Sequence, residues 1–148
     1  MGQQQLLLIV LGIIIVGIAI AVGVNMFQQS AVDTNRQAVV SDLTNLASKA
    51  QRYYRTPSEL GGGAQNFRNF ALGRLDTSNA NGSYRVYTTA QLTANARPAS
   101  TSNIRITTSV VDSIHVVGWG KEKGDNVLYP VKVNTRVSPV GIRTRLVN

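Results

Sequence analysis

The stretch LLLIVLGIIIVGIAIAVGV, Leu6 to Val24, is a run of nineteen apolar residues in which glycine is the only interruption. At 1.5 Å of rise per residue it forms a helical rod roughly 28 Å long, the thickness of a bilayer's hydrocarbon core. The run reads as a membrane span. No charged side chain occurs in the first thirty-two residues, and Asp33 is the first to carry one.

Working outward from the run, no Lys or Arg precedes it, and an amphipathic pattern follows at once without a proline or a glycine cluster. A secretory signal peptide needs a basic leading region and a small-residue cleavage site, and neither is seen, so a helix continuing beyond the membrane is the expectation. The remainder of the 148 residues is enough for one small globular domain with a modest core. Without cysteine there is neither a disulfide framework nor a thiolate metal site, so stability must come from packing. Lys and Arg outnumber Asp and Glu by 15 to 7, a formal net charge of +8 that favours acidic partners without naming one.

Residues 28 to 54 read as an amphipathic helix. Val32, Val39, Leu43, Leu46, Ala50 and Tyr53 recur at three-, four- and seven-residue steps, which holds one apolar stripe on one side. Gln29, Asp33, Arg36, Gln37, Asp42, Asn45, Lys49 and Arg52 fill the other side. Asp33 and Arg36 are spaced to pair, and Lys49, Arg52 and Arg55 gather where the helix dipole is negative. Thr56 and Pro57 end the helix, because proline cannot extend it and drives its predecessor out of the α region. A helix over residues 2 to 54 is about 80 Å long, so half of it projects from any domain this chain can build.

After Pro57 come three successive glycines, Gly61 to Gly63, and then a segment from Gln65 to Leu75 in which Phe67, Phe70, Ala71 and Leu75 have approximate helical spacing. Asp76 to Gly82 reads as a polar loop, and the rest alternates with the period of strands. Tyr84, Val86 and Thr88 share one face of a first strand, and Ile104, Ile106, Thr108 and Val110 one face of a second. Ile114 to Trp119 and Val127 to Val137 read as a hairpin joined by Gly120 to Asn126, with turn chemistry at Gly124 and Asp125. Ile142 to Val147 closes the sheet. The expected fold class is α+β, with a long N-terminal helix laid on an antiparallel sheet of four or five strands. Its parts are a hydrophobic helix over 1–27, the amphipathic half of the same helix over 28–55, and a β-rich head over 56–148.

A very apolar first helix starting within a few residues of the chain end, an amphipathic continuation ending in Tyr53 and Tyr54, and a β-rich domain together resemble a mature type IV pilin. The similarity covers the first 55 residues, while the remainder agrees in architecture alone. The resemblance implies a subunit held in the inner membrane by its first helix, extracted by a pilus assembly machinery, and packed helix against helix into an extracellular filament of identical subunits. The packing positions it implies are Met1, Gln5, Leu6, Leu7, Ile9, Val10, Ile13, Ile14, Gly17, Ile20, Val24 and Phe27.

Three departures from the family pattern stand out. Gln5 occupies the place of a customary glutamate and offers a hydrogen bond but no charge. No proline lies near Val22, which leaves Gly12, Gly17 and Gly23 as the weak points of the helix, each worth up to about 1 kcal/mol. The C-terminal cysteine pair is absent. Either Met1 is the processed, N-methylated residue or cleavage follows Gly2, and the first is preferred because it places Gln5 at the family's polar position.

Fourteen Leu, Ile and Val side chains in the run, at roughly 1.5 kcal/mol each, make removal from water worth on the order of 20 kcal/mol. Lipid gives the same shelter as a helical bundle, so transfer into a filament has to draw on close packing at small residues such as Gly12, Gly17, Ala19, Ala21 and Gly23, and on an external motor. Repeating one head-to-tail contact generates an open helix.

No catalytic, cofactor or metal constellation is read in the chain, which is not expected to be an enzyme. His115 is the only histidine and reads as a satisfied sheet residue, and Glu122 and Asp125 sit in a solvated turn. Trp119 reads more readily as buried than as a surface stacking contact. Lys121, Lys123, Lys132, Arg136, Arg143 and Arg145 all follow Gly120, and on one sheet face they would attract DNA or acidic surface polymers. The alternative for them is a plain solvated face. Asn81-Gly82-Ser83 is a formal glycosylation triplet. Besides the filament subunit, two functional classes stay open, a pseudopilin or minor pilin of a secretion or DNA-uptake system and a single-pass membrane-anchored binding module. Adhesion and motility are among the expected uses of a filament.

Overall fold

The computed structural model of the chain describes residues 2–90, 104–107, 111–124 and 128–148. One helix, α1, runs unbroken over Gly2–Arg55, passing Gly12, Gly17 and Gly23 without interruption. A short 3₁₀ turn at Ser58–Leu60 follows, and then four strands, β1 (Gly82–Tyr87), β2 (Ile114–Lys123), β3 (Pro130–Val137) and β4 (Ile142–Leu146). They form one antiparallel sheet in the order β1-β2-β3-β4, so each strand pairs with its neighbour in sequence. The fold is α+β, as the sequence predicts.

The C-terminal half of α1 crosses the middle of the sheet, over β2 and β3. The expected stripe is the one buried, with Val39, Leu43, Leu46, Ala47 and Ala50 in the core and Val32 and Tyr53 half-buried against it. Opposite them, alternation along the strands presents Tyr84 and Val86, Ile114 and Val116, and Val131, Val133 and Val137. Gly118 lies on that same face because the helix needs the space, since a Cβ there would sit 2.7 Å from Val39 Cγ1.

The glycine triplet closes the end of α1. Chain reversal at Gly61, with φ of 78°, lets the Gly63 and Gln65 amides donate to the Tyr53 and Tyr54 carbonyls at 2.8 Å each. Those carbonyls are among the last of the helix and have no intrahelical partner, so the loop satisfies them. A side chain at Gly62 or Gly63 would collide with the Thr56 or Asn66 backbone.

Several expectations are corrected. Gln65 to Leu75 is not helical, because Ala64, Gln65 and Asn69 take positive φ and the amides bond sideways, Asn69 to Ile106 at 2.9 Å and Leu72 to Ile104 at 2.8 Å. Phe67, Phe70 and Leu72 are buried, and Tyr53 and Tyr54 pack on the two phenylalanines, whereas Leu75 is 89 % exposed. Ile104 to Thr107 lies outside the four strands but pairs with residues 69–72 through those amide bonds and the Ala71–Arg105 bridge, and Thr108 and Val110 lie outside the described residues. β2 runs on through Gly120 to Lys123 past an irregularity between Trp119 and Lys123, so Gly120 to Lys123 belong to the strand and not to the expected turn, whose Asp125 is outside the described residues.

Candidate assembly surface and basic sheet face

From Gly2 to Val22 every residue of α1 is exposed on all sides of the rod. Among the positions expected to pack, Leu6 is 65 %, Ile13 68 % and Phe27 79 % exposed, and Gln5, Leu7, Ile9, Val10, Ile14, Gly17, Ile20 and Val24 are open as well. Met1 lies outside the described residues. A Cβ placed on Gly12, Gly17 or Gly23 would meet nothing within 4 Å. By length and composition α1 is capable of crossing a membrane.

Where the rod meets the head, polar side chains fasten it. Asn35 donates to the Asn81 carbonyl at 3.0 Å and accepts from the Lys121 amide at 3.1 Å, and Gln51 donates to the Ser138 carbonyl at 3.1 Å. Asp42 is the centre of this seam. Its Oδ2 accepts from Tyr84 Oη at 2.6 Å, Asn79 Nδ2 at 2.7 Å and Asn81 Nδ2 at 2.8 Å. Burial works to raise the Asp42 carboxyl, but the bonds from Tyr84, Asn81 and Asn79 outweigh it, and the group lies below its ordinary value. Burial and the nearby Asp42 raise the Tyr84 phenol. The sequence places Asp42 on the polar side of the helix and gives no sign of the clasp, since its three partners come from a loop and strand some forty residues away. Asn81, the formal glycosylation residue, uses its Nδ2 in this clasp.

Asp33 and Arg36 pair at 2.9 Å as their spacing predicts. Lys49 leaves the helix-end group and pairs with Asp76 at 2.7 Å, pinning the polar loop, while Arg52 and Arg55 stay in the last turn.

The six basic residues of the C-terminal region separate into two places. Directly opposite residues of an antiparallel pair point to the same side, so register assigns the face turned away from α1 to Ser83, Arg85 and Tyr87 of β1, His115, Val117 and Trp119 of β2, Lys132, Asn134 and Arg136 of β3, and Arg143 and Arg145 of β4. Arg136 stands opposite Arg143, and Arg145 opposite Asn134. These three arginines are exposed. Lys132 is 1 % exposed, with Nζ 5.5 Å from the centre of the Trp119 ring, and burial lowers its amine. Trp119 is buried, as the sequence reading favours, and its ring meets Tyr87 edge-on. Lys121 lies within the irregularity of β2, beside Asn35 of the helix, and Lys123, opposite Pro130, falls on the face away from α1 at the other end of the strand from Arg136; both are exposed. His115 sits 3.2 Å from Asn134 Oδ1, and burial lowers its imidazole, with the Asn134 bond opposing and the Arg136 charge assisting.

Comparison with known proteins finds no matching family model, no matching curated protein and no matching solved structure.

Proposed function

We propose that the chain is the structural subunit of an extracellular, type IV pilus-like filament, held in the inner membrane by α1 until an assembly machinery packs the rods of successive copies together. The observation that carries this reading is the rod itself, a helix whose first half is apolar on every side and exposed from Gly2 to Val22. Such a surface is sheltered by lipid or by identical rods, and water is excluded as its medium. Gly12, Gly17 and Gly23 sharpen the choice. Each weakens the helix by up to about 1 kcal/mol relative to alanine and none is required by a contact inside the subunit. Close approach of another rod is the gain that small residues give in an apolar medium.

The head supports the same reading by standing clear of the span. Core burial begins at Val39, so the domain hangs on the second half of α1 and leaves the first free to pack at an axis. A head-to-tail repeat of that contact grows as a fibre when its rotation does not close into a ring.

Electron microscopy of cells producing the chain tests the proposal. Uniform surface fibres labelled by an antibody to residues 56–148 are the expected result. Monomers confined to the membrane fraction would instead favour a single-pass anchored module, which the same rod and head can serve.

A further inference from the structure

Three observations on the sheet face away from α1 converge. Arg136 and Arg143 are directly opposed across β3 and β4, and Arg145 is two residues farther along β4, so the three side chains are rooted within about 9 Å of one another. Like charges placed opposite each other destabilise a sheet. Among the described residues none of the three guanidinium groups makes a hydrogen bond or an ion pair, and β3 and β4 contain no Asp or Glu. Arg85 and Lys132 lie on the same face but are buried, so its exposed cations on β3 and β4 are the three arginines.

From this arrangement we infer that the face binds the phosphodiester backbone of duplex DNA, without regard to sequence, through Arg136, Arg143 and Arg145. Planar guanidinium forks take phosphate oxygens in pairs, and the repulsion between opposed arginines is relieved when an anion lies between them. Charge density selects the ligand. Three cations so close together call for negative charge every few ångströms, and duplex DNA offers one per about 1.7 Å of axis, whereas a uronic-acid polymer has at most one carboxylate on each sugar. Single strands are disfavoured because, among the described residues, the aromatic side chains on this face are Trp119, which is buried, and Tyr87, half-buried and set edge-on to its ring. The membrane that α1 enters is excluded by direction, because a face turned away from the side of a spanning helix looks along the bilayer plane. Each copy carries the face, so binding does not require polymerisation and its failure leaves the filament reading standing.

The test uses the full chain in neutral-detergent micelles and a fluorescein-labelled 30-base-pair duplex, followed by anisotropy between about 50 and 200 mM KCl, a range over which counterion release is pronounced. Three phosphate contacts add about 2.7 to the slope of log affinity against log salt, so the combined variant R136Q/R143Q/R145Q lowers the slope by about that amount and weakens binding roughly tenfold or more. R143Q and R145Q singly each lower the slope by about 0.9, which reads out the site even if the triple variant folds poorly. The triple arginine-to-lysine variant keeps binding to within about threefold, and K121Q/K123Q, at the far end of the strands from Arg136 and Arg143, to within about twofold. Unchanged binding in the glutamine variants, or a loss carried instead by K121Q/K123Q, overturns the inference. So does displacement of the duplex by polygalacturonate, at matched charge, more effectively than by unlabelled duplex, which would assign the face to acidic polysaccharide.

Discussion

Asp42 shows how much of the head's attachment rests on a single carboxylate. One oxygen answers donors from Asn79, Asn81 and Tyr84, so removing it strands three polar groups at the helix–sheet seam. Asp42→Ala is expected to cost about 1–3 kcal/mol, measured by chemical denaturation of the full chain in neutral micelles. The sign of its pH dependence follows from the lowered carboxyl. Its contribution is fully present above the ordinary aspartate value, near 4, and fades as pH falls through the lower folded value, whereas Asp42→Ala lacks this acid-sensitive part. The sequence shows Asp42 as one more solvated helix residue because a side chain's partners from distant segments leave no local periodicity. Lys132 is a similar case. Strand alternation assigns it to the face away from the helix, but only the packed sheet brings Trp119 under its amine.

At the scale of elements, what the chain discloses depends on how long a pattern persists. α1 carries an all-round apolar run of nineteen residues and then an apolar stripe from Val32 to Tyr53, so its existence, its buried stripe and its end at Arg55 are all legible. Phe67 and Phe70 are three apart in a short segment, a spacing that a series of turns reproduces, and the positive φ angles at Ala64, Gln65 and Asn69 have no glycine to announce them. Gly120 likewise reads as a turn residue, yet it lies within β2, where a Cβ would collide with Asn35 Oδ1. Gly118 makes the requirement quantitative. Gly118→Val forces a Cβ within 2.7 Å of Val39 Cγ1 and 3.0 Å of Tyr84 Cε1, lifting α1 from the sheet. The expected loss is about 1–3 kcal/mol in denaturant unfolding, with a lower acid tolerance if the Asp42 clasp loosens as well. Gly17→Leu is the contrasting variant, since space around Gly17 is open within the subunit. It leaves the span apolar and the membrane fraction unchanged, but on the filament reading it cuts fibre number roughly tenfold by separating rods, as counted in electron micrographs.

For the whole molecule, the division of labour follows from two media. The head is folded by burying one side of a four-stranded sheet under the second half of α1, a task for water, and the first half of α1 is built for an environment without water. The layout of helix, strands and projecting rod was therefore readable from hydrophobic patterning, because patterning is how a chain records the medium each segment meets. The arginine face was half readable. Alternation puts Arg143 with Arg145 and Lys132 with Arg136, but bringing both pairs to one side requires the β3–β4 register, which no single strand encodes. Helical reconstruction of fibres sheared from producing cells, by electron cryomicroscopy, addresses the central claim most directly. The expected map places residues 6–27 of every copy at the fibre axis, in contact with the same segment of neighbouring copies and with the heads outside. A map with the heads at the axis and the rods apart, or fibres that persist when residues 2–27 are deleted, would contradict it.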